Sequence, residues 1–232
     1  MSKQEKIFTP RVLLLTGFFV IVIPLLPLLI SWHWDWWEAW VYALVNILGF
    51  VISRVLAGRR NPDLLAERAR FAQHDDVKEW DKVLFPLVVL GSGLIPLVAG
   101  LDARFGESAG FGLMLKIVAI AVLLAGFAIG SYALIENRFF SAVVRIQTER
   151  DHKVVSSGPY GWVRHPGYAG ALLSYLANPF LLDSWWTFLP VLFLTTVLII
   201  RTRLEDRTLQ AELAGYTEYA RQVPYRLLPG VW

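Results

Sequence analysis

The 232 residues are 56% hydrophobic and only 18% charged, with a mean hydropathy of +0.49, whereas a soluble domain carries about 25% charged residues. The net charge is +3 and there is no cysteine, which excludes a disulfide framework, thiol catalysis and any Cys-ligated metal or cluster. Stretches 12–30, 83–101 and 117–135 contain no Asp, Glu, Lys or Arg; about 20 apolar residues as helix cross a bilayer core of about 30 Å, so a soluble Rossmann-type or all-β enzyme is excluded.

The expected fold is all-α, a single polytopic membrane helical bundle over 1–232 with five to six membrane segments. Lys3, Lys6 and Arg11 precede a first segment, 12–30, with no small-residue cleavage site; it reads as a retained helix, not a signal peptide. Segment 38–57 contains Arg54 near its end, where a long side chain snorkels. Segments 83–101 and 112–136 are full length. Segment 167–182 starts after Pro166 and is broken at Asn178-Pro179, leaving about 13 helical residues and about 20 Å. With 184–203 it forms a hairpin that crosses fully or in part. Pro24, Pro27, Pro86, Pro96 and Pro190 kink or open their helices, and Gly126 and Gly130 read as a close helix contact.

Orientation follows from Lys and Arg placement. Connection 58–82 holds Arg59, Arg60, Arg68, Arg70, Lys78 and Lys82; connection 137–166 holds Arg138, Arg145, Arg150, Lys153 and Arg164; the tail holds Arg201, Arg203, Arg207, Arg221 and Arg226. Connections 31–37 and 102–111 hold only Arg104. The N-terminus, both long loops and the tail are therefore expected in the cytoplasm. Trp32, Trp34, Trp36, Trp37, Trp40, Trp185 and Trp186 mark the opposite interface. The short outer loops, charge distribution and size look prokaryotic, implying the inner or cell membrane.

The informative polar residues lie in the loops and at helix ends. Gly158-Pro159 and His165-Pro166-Gly167 are turn formers leading into a helix, whose first N–H groups favour an anion; a membrane re-entry turn is the plain alternative. Arg201 and Glu205 stand one helical turn apart where the last segment leaves the membrane. That spacing suits an i,i+4 ion pair of about 0.3–0.5 kcal/mol, or a cation and a carboxylate presented to a polar cavity. His33, His74, His152 and His165 have no metal-ligand spacing, so no metal is expected. No dinucleotide fingerprint, P-loop or nucleophile elbow is present. Acids interspersed among the bases of 58–82 make it an interfacial segment and not a nucleic-acid surface.

Gly158-Pro-Tyr160-x-x-x-Arg164-His165-Pro166-x-Tyr168-x-Gly170, the acidic pair Glu205-Asp206 four residues beyond Arg201, and Gly215-x-x-x-Tyr219 followed by Val223-Pro224 occur in this order. Together they resemble the isoprenylcysteine carboxyl methyltransferase family, related to phospholipid methyltransferases. Asn61-Pro62-x-Leu64-Leu65-x-x-Arg68 and Trp80-Asp81-Lys82 resemble it more weakly. The resemblance covers about 145–232, so 1–136 would be the transmembrane scaffold and 137–232 the catalytic and cofactor-binding region.

The resemblance implies S-adenosyl-L-methionine-dependent methylation, at the cytoplasmic membrane face, of a lipidic or prenylated small-molecule acceptor amid membrane lipids. Its cofactor pocket would use Gln147, His152, Lys153, Val154, Val155, Tyr160, His165, Pro166, Gly167, Tyr168 and Glu205; Arg201 would contact the substrate and, with Glu205, act in catalysis. Here Asp206 stands where the family usually has a second Glu, and Gln147 lies closer to His152 than in the eukaryotic enzymes. An in-line methyl transfer needs positioning, and a carboxylate acceptor, with pKa near about 4, needs no general base. The alternatives are a phospholipid N-methyltransferase, an NADPH-dependent membrane reductase of the sterol type, which resembles this group in its RHPxY region, and a non-catalytic membrane partner that kept the fold.

Overall fold

The computed structural model describes residues 10–106, 108 and 110–232; Lys3, Lys6 and the Arg11 side chain, invoked above, lie outside the described residues. Helix α1 (Pro10–Gly17) passes through a π-helical turn (Phe18–Val22) into α2 (Ile23–Ser31). Then come α3 (Trp37–Arg60), α4 (Pro62–Ala69), α5 (Asp81–Phe105), α6 (Leu113–Glu136), α7 (Pro166–Leu181), α8 (Phe188–Glu212) and α9 (Tyr216–Gln222), with no strand among the described residues. The π turn sits directly before Pro24, whose ring disturbs the preceding helical ladder.

Leu14–Ser31, Trp37–Arg60, Asp81–Phe105 and Leu113–Glu136 are long and apolar enough to cross a membrane, and the protein is an integral membrane protein. Helix α7, with 16 residues, spans about 24 Å, short of the bilayer core. Helix α8 is apolar only in its first half. They form the expected hairpin, with one correction: Pro179 does not end α7 but lies in its last turn, where its missing N–H costs a single helical hydrogen bond.

The core joins the spans through Leu28, Ala39, Tyr42, Ala99, Ala119, Leu123, Ala177 and Leu181. Small residues set the closest approach, between α6 and α7. A side chain at Gly126 would strike the Gly170 carbonyl and Ser174, and one at Gly170 would strike the Gly126 carbonyl and the Gly130 backbone. On the tryptophan-rich face, Lys116 at the start of α6 bridges Glu38 of α3 and Asp183 after α7. Trp32, Trp34, Trp37, Trp40, Trp185 and Trp186 are exposed there.

On the opposite face, residues 137–165 form a loop with short 3-10 turns at Thr148–Arg150 and Gly158–Gly161. Its backbone is pinned at both ends. The Val144 N–H donates to Asp81 Oδ2 at 2.6 Å, the Lys78 N–H to the Val144 carbonyl at 3.0 Å, and the Arg164 and His165 N–H groups to the Tyr225 and Arg226 carbonyls at 3.0 and 2.9 Å.

Candidate functional site

Beneath that loop lies a cavity of about 550 Å³ that continues between α2, α3, α5, α6 and α7, well within the size range of small-molecule sites. Gln147, His152, Lys153, Val154, Val155, Tyr160, His165, Gly167, Tyr168, Arg201 and Glu205 all line it. Of the residues expected to hold cofactor or substrate, Pro166 alone is not in the wall. It occupies the first turn of α7, where its fixed φ and missing N–H start the helix.

Each of these side chains is fixed by the local fold. Gln147, 1% exposed, donates to the Phe139 carbonyl at 2.7 Å and accepts from Arg150 Nη1 at 2.5 Å. His152 packs against the Phe139 ring with centroids 4.6 Å apart, and its Nδ1 accepts from the Gln147 N–H at 3.3 Å. Burial, then the charges of Arg145 and Arg150, lower its pKa to about 4, so it is neutral. Lys153 directs its ammonium outward to Asp151, at 2.6 Å. Val154 and Val155 pack on Tyr160, Leu213, Tyr216, Tyr219 and Val223. The Tyr160 hydroxyl accepts from Asn137 Nδ2 at 3.2 Å and donates to the Ala133 carbonyl at 3.3 Å.

At the start of α7 the rings of His165 and Tyr168 stack, 9° apart in plane. His165 is buried, and its Nε2 has no hydrogen-bond partner among the described residues, standing 3.5 Å from Asp206 Oδ1. A side chain at 167 would run into the Phe140 ring, so glycine is required unless that ring moves. The Tyr168 hydroxyl donates to Glu205 Oε2 at 2.6 Å.

Arg201 departs from the expectation. The helical turn between it and Glu205 is present, yet neither the i,i+4 pair nor a free planar fork is found. Its Nε and Nη2 donate to the two carboxylate oxygens of Asp81 at 2.7 and 2.9 Å, and Nη2 also reaches the Ala142 carbonyl at 2.9 Å. The reason is electrostatic: Asp81 is fully buried, and such a carboxylate needs a cation with matching geometry.

Two other arginines face the cavity with no acidic partner among the described residues. Arg54 donates to Ser53 Oγ at 3.1 Å and lies over the Phe50 ring. Arg68 donates to the Phe140 carbonyl at 3.0 Å. Burial, then the charges of Arg54 and Arg201, lower the Arg68 pKa to about 9; it remains cationic at neutral pH. Arg54 does not snorkel as expected, because α3 runs on to Arg60 and places it over the cavity.

Asp206 takes a different part from its neighbour Glu205. Fully buried, it accepts from Arg164 Nε (2.7 Å) and Nη2 (3.1 Å), Arg226 Nε (2.9 Å), Gln210 Nε2 (2.8 Å) and the Tyr216 hydroxyl (3.1 Å). Burial raises its pKa, but nearby His165 and Arg164 outweigh that and hold it well below the usual carboxylate range. The Tyr219 hydroxyl donates to the Tyr160 carbonyl at 2.7 Å. The tail thus clamps the cavity loop through Asp206 and Tyr219. In the sequence, Arg68 and Asp81 stood within the two weaker family-like stretches and Arg54 as a snorkelling residue, and none of the three was assigned to the site. The available signal was an acid and an arginine at the same ends of different spans, at the loop-bearing face.

Residues 114–211 match the model of the isoprenylcysteine carboxyl methyltransferase (ICMT) family, which upholds over that stretch the resemblance read from the motifs. The chain is similar to the Delta(14)-sterol reductase TM7SF2 of Mus musculus, 37% identical over 90 residues, covering 38% of this chain and 22% of that protein. It is similar to the probable protein-S-isoprenylcysteine O-methyltransferase of Oryza sativa subsp. indica, 37% identical over 57 residues, covering 24% and 30%. It is also similar to the uncharacterized protein YpbQ of Bacillus subtilis, 39% identical over 59 residues, covering 25% and 35%. The matches span about a fifth to a third of the length of these relatives.

Proposed function

We propose that this protein is a membrane methyltransferase of the isoprenylcysteine type that uses S-adenosyl-L-methionine to methylate the carboxylate of a lipidic or prenylated acceptor at the cytoplasmic face. The observation carrying this reading is a single cavity that contains both the Tyr160, Tyr168 and Glu205 constellation and two arginines without acidic partners, Arg54 and Arg68, with apolar walls between the spans below.

The residues suit that cofactor. Glu205 would take its ammonium or ribose hydroxyls, and the Tyr160 and Tyr168 rings would face its positive sulfur, with the buried His165 ring stacked on Tyr168. Gln147, the His152–Val155 segment with Lys153 and Val154, and Gly167 at the helix start would complete the pocket. The cofactor supplies an electrophilic methyl group: a C–O bond to the acceptor forms, the C–S bond breaks with its electrons left on sulfur, and an ester and a neutral thioether result.

The chain's own contribution is positioning. A carboxylate acceptor is already ionised near neutral pH, so no proton has to move. Arg68 and Arg54 would orient it, their mutual repulsion relieved by its charge. Arg201 becomes a positioning residue, holding Tyr168 under its guanidinium, with the ring centroid 5.5 Å away. These cations disfavour the phospholipid N-methyltransferase alternative, whose acceptor is an amine.

A second reading, a sterol-type NADPH reductase, is favoured by the 90-residue similarity to TM7SF2. It is opposed by Gly167, where the resemblance to that group would call for Asn, because a side chain there would meet the Phe140 ring unless the ring moved. Titration calorimetry on detergent-solubilised protein with S-adenosylmethionine and with NADPH separates the two. The expected outcome is donor binding without NADPH binding, and transfer of labelled methyl into a base-labile, lipid-extractable product. NADPH binding alone, or label in a base-stable amine, overturns the proposal.

A further inference from the structure

The half of the cavity between the spans carries polar groups that the methyl-transfer reading leaves unused. Tyr42 of α3 and Tyr175 and Asn178 of α7 line it together with Ile95 and Leu123. Tyr42 is 5% exposed and Asn178 4%. Asn178 Oδ1 is buried with no hydrogen-bond partner among the described residues, and Tyr42 and Tyr175 line the cavity beside it. Asn46, also in the wall, spends its Nδ2 on the Tyr42 carbonyl at 2.8 Å.

A buried acceptor without a partner, such as Asn178 Oδ1, is costly, and the phenols beside it are polar groups on a wall shared with Ile95 and Leu123. A tunnel serving only a hydrocarbon tail would be cheaper to build from Phe, Leu and Val. Tyr175 and Asn178 lie about 10 and 15 Å further along α7 than Tyr168, and Tyr42 about 18 Å along α3 from Arg54, at 1.5 Å per residue. These polar groups are thus displaced in one direction from the Arg54, Arg68 and Glu205 end.

We infer that Tyr42, Tyr175 and Asn178 form a second polar subsite, which binds an uncharged oxygen function, a hydroxyl or a carbonyl, on the membrane-embedded part of the acceptor about 10–18 Å from its reacting end. The phenols would donate to that oxygen, and Asn178 Oδ1 would accept its proton where it is a hydroxyl. The acceptor is then an amphiphile with polar groups at both ends of its occupied length, and not a plain hydrocarbon-tailed acid. The inference rests on the proposed function only for the charge at the reacting end.

The test uses two probe pairs on the full detergent-solubilised chain, with binding read by native mass spectrometry. One pair is dodecanoate and its ω-hydroxy derivative; the other is dodecanol and α,ω-dodecanediol. The hydroxylated member of a pair is expected to bind about three- to tenfold more tightly than its parent. Tyr42→Phe, Tyr175→Phe and Asn178→Leu should each reduce that ratio, the two Tyr→Phe variants keeping ring volume so that a folding defect in Asn178→Leu is not decisive. A preference confined to the diol pair keeps the subsite and removes the carboxylate reading of the other end. No hydroxyl preference in either pair, or a preference that survives all three variants, overturns the inference and leaves these groups to interior water.

Discussion

Arg201 and Asp81 meet in a two-pronged pair across 120 residues of chain, Nε to Oδ1 at 2.7 Å and Nη2 to Oδ2 at 2.9 Å, both side chains buried. Asp81 Oδ2 also holds the Val144 N–H, so the pair joins the start of α5, the middle of α8 and the cavity loop. Removing one partner of a buried pair costs about 3–5 kcal/mol, because the other charge is left uncompensated. Asp81→Asn and Arg201→Ala are each expected to lower the unfolding midpoint strongly and to lose donor binding with it. Arg201→Lys keeps the charge but not the planar fork and should fall between them. The double variant Asp81→Leu with Arg201→Met should recover most of the stability. A stable Arg201→Ala with normal donor affinity would instead make Arg201 a direct acceptor contact.

Arg68 and Arg54 carry the opposite expectation. Neither has an acid beside it among the described residues, and Arg68 is pulled down to about 9 by burial and by the neighbouring Arg54 and Arg201 charges. Arg68→Met should therefore leave stability unchanged or raise it slightly, since one of three facing cations disappears. For a carboxylate acceptor, losing one charged hydrogen-bond donor costs about 1.5–3 kcal/mol, or about 10- to 100-fold in KM, while donor affinity stays within twofold or so. Steady-state kinetics with the donor saturating, beside thermal unfolding, checks both halves; an unchanged KM removes Arg68 from the acceptor site.

Glu205 separates cleanly from its neighbour. It accepts from the Tyr168 hydroxyl at 2.6 Å, whereas Asp206 holds two arginines, Gln210 and Tyr216. Glu205→Ala is expected to weaken donor binding by about 1–3 kcal/mol in a protein that unfolds normally, and Tyr168→Phe to do so by less. Asp206→Asn is expected to destabilise the tail by about 3–5 kcal/mol, with donor binding lost only as the fold is lost. Calorimetry and melting curves on the three variants distinguish these outcomes, and the reverse ranking would exchange the two assignments.

Much of the scaffold was legible because a span needs a long charge-free stretch, and 12–30, 83–101 and 117–135 supply it. The turn into α7 was legible from Pro166, and the close α6–α7 contact from Gly126, although its partners Gly170 and Ser174 lie on a helix whose face no local pattern identifies. Pairing of charges was not legible. Arg201 has Glu205 one turn away, and local spacing points there; the buried carboxylate of Asp81 outcompetes it from another helix. Arg54 and Arg68 gain meaning only once α3 and α4 are folded over the loop, which brings Phe140 to Arg68. Asn178 reads as an ordinary span residue until the core around its Oδ1 shows nothing for it to bond.

The last expectation concerns pH. His152 is stacked on Phe139 and accepts from the Gln147 N–H, which requires its neutral form, and burial with the Arg145 and Arg150 charges lowers its pKa to about 4. The unfolded chain takes up this proton near about 6.5. Between those values the unfolded state binds more protons than the folded one, so stability rises with pH across the window. It is fully present above about 6.5, falls as pH drops toward about 4 and changes little from this group below that. The full shift would correspond to about 3 kcal/mol, which partial exposure of the ring reduces to about 1–2 kcal/mol. Asp206, held low by its partners, adds its loss only at more acidic pH, so the two windows do not overlap. His152→Phe keeps the stacking and removes the titration. Its unfolding midpoint should be flatter than that of the wild type between about pH 4 and 6.5, and amide exchange at Gln147 should follow the wild-type slope. A variant with the same slope as the wild type would place the titrating group elsewhere.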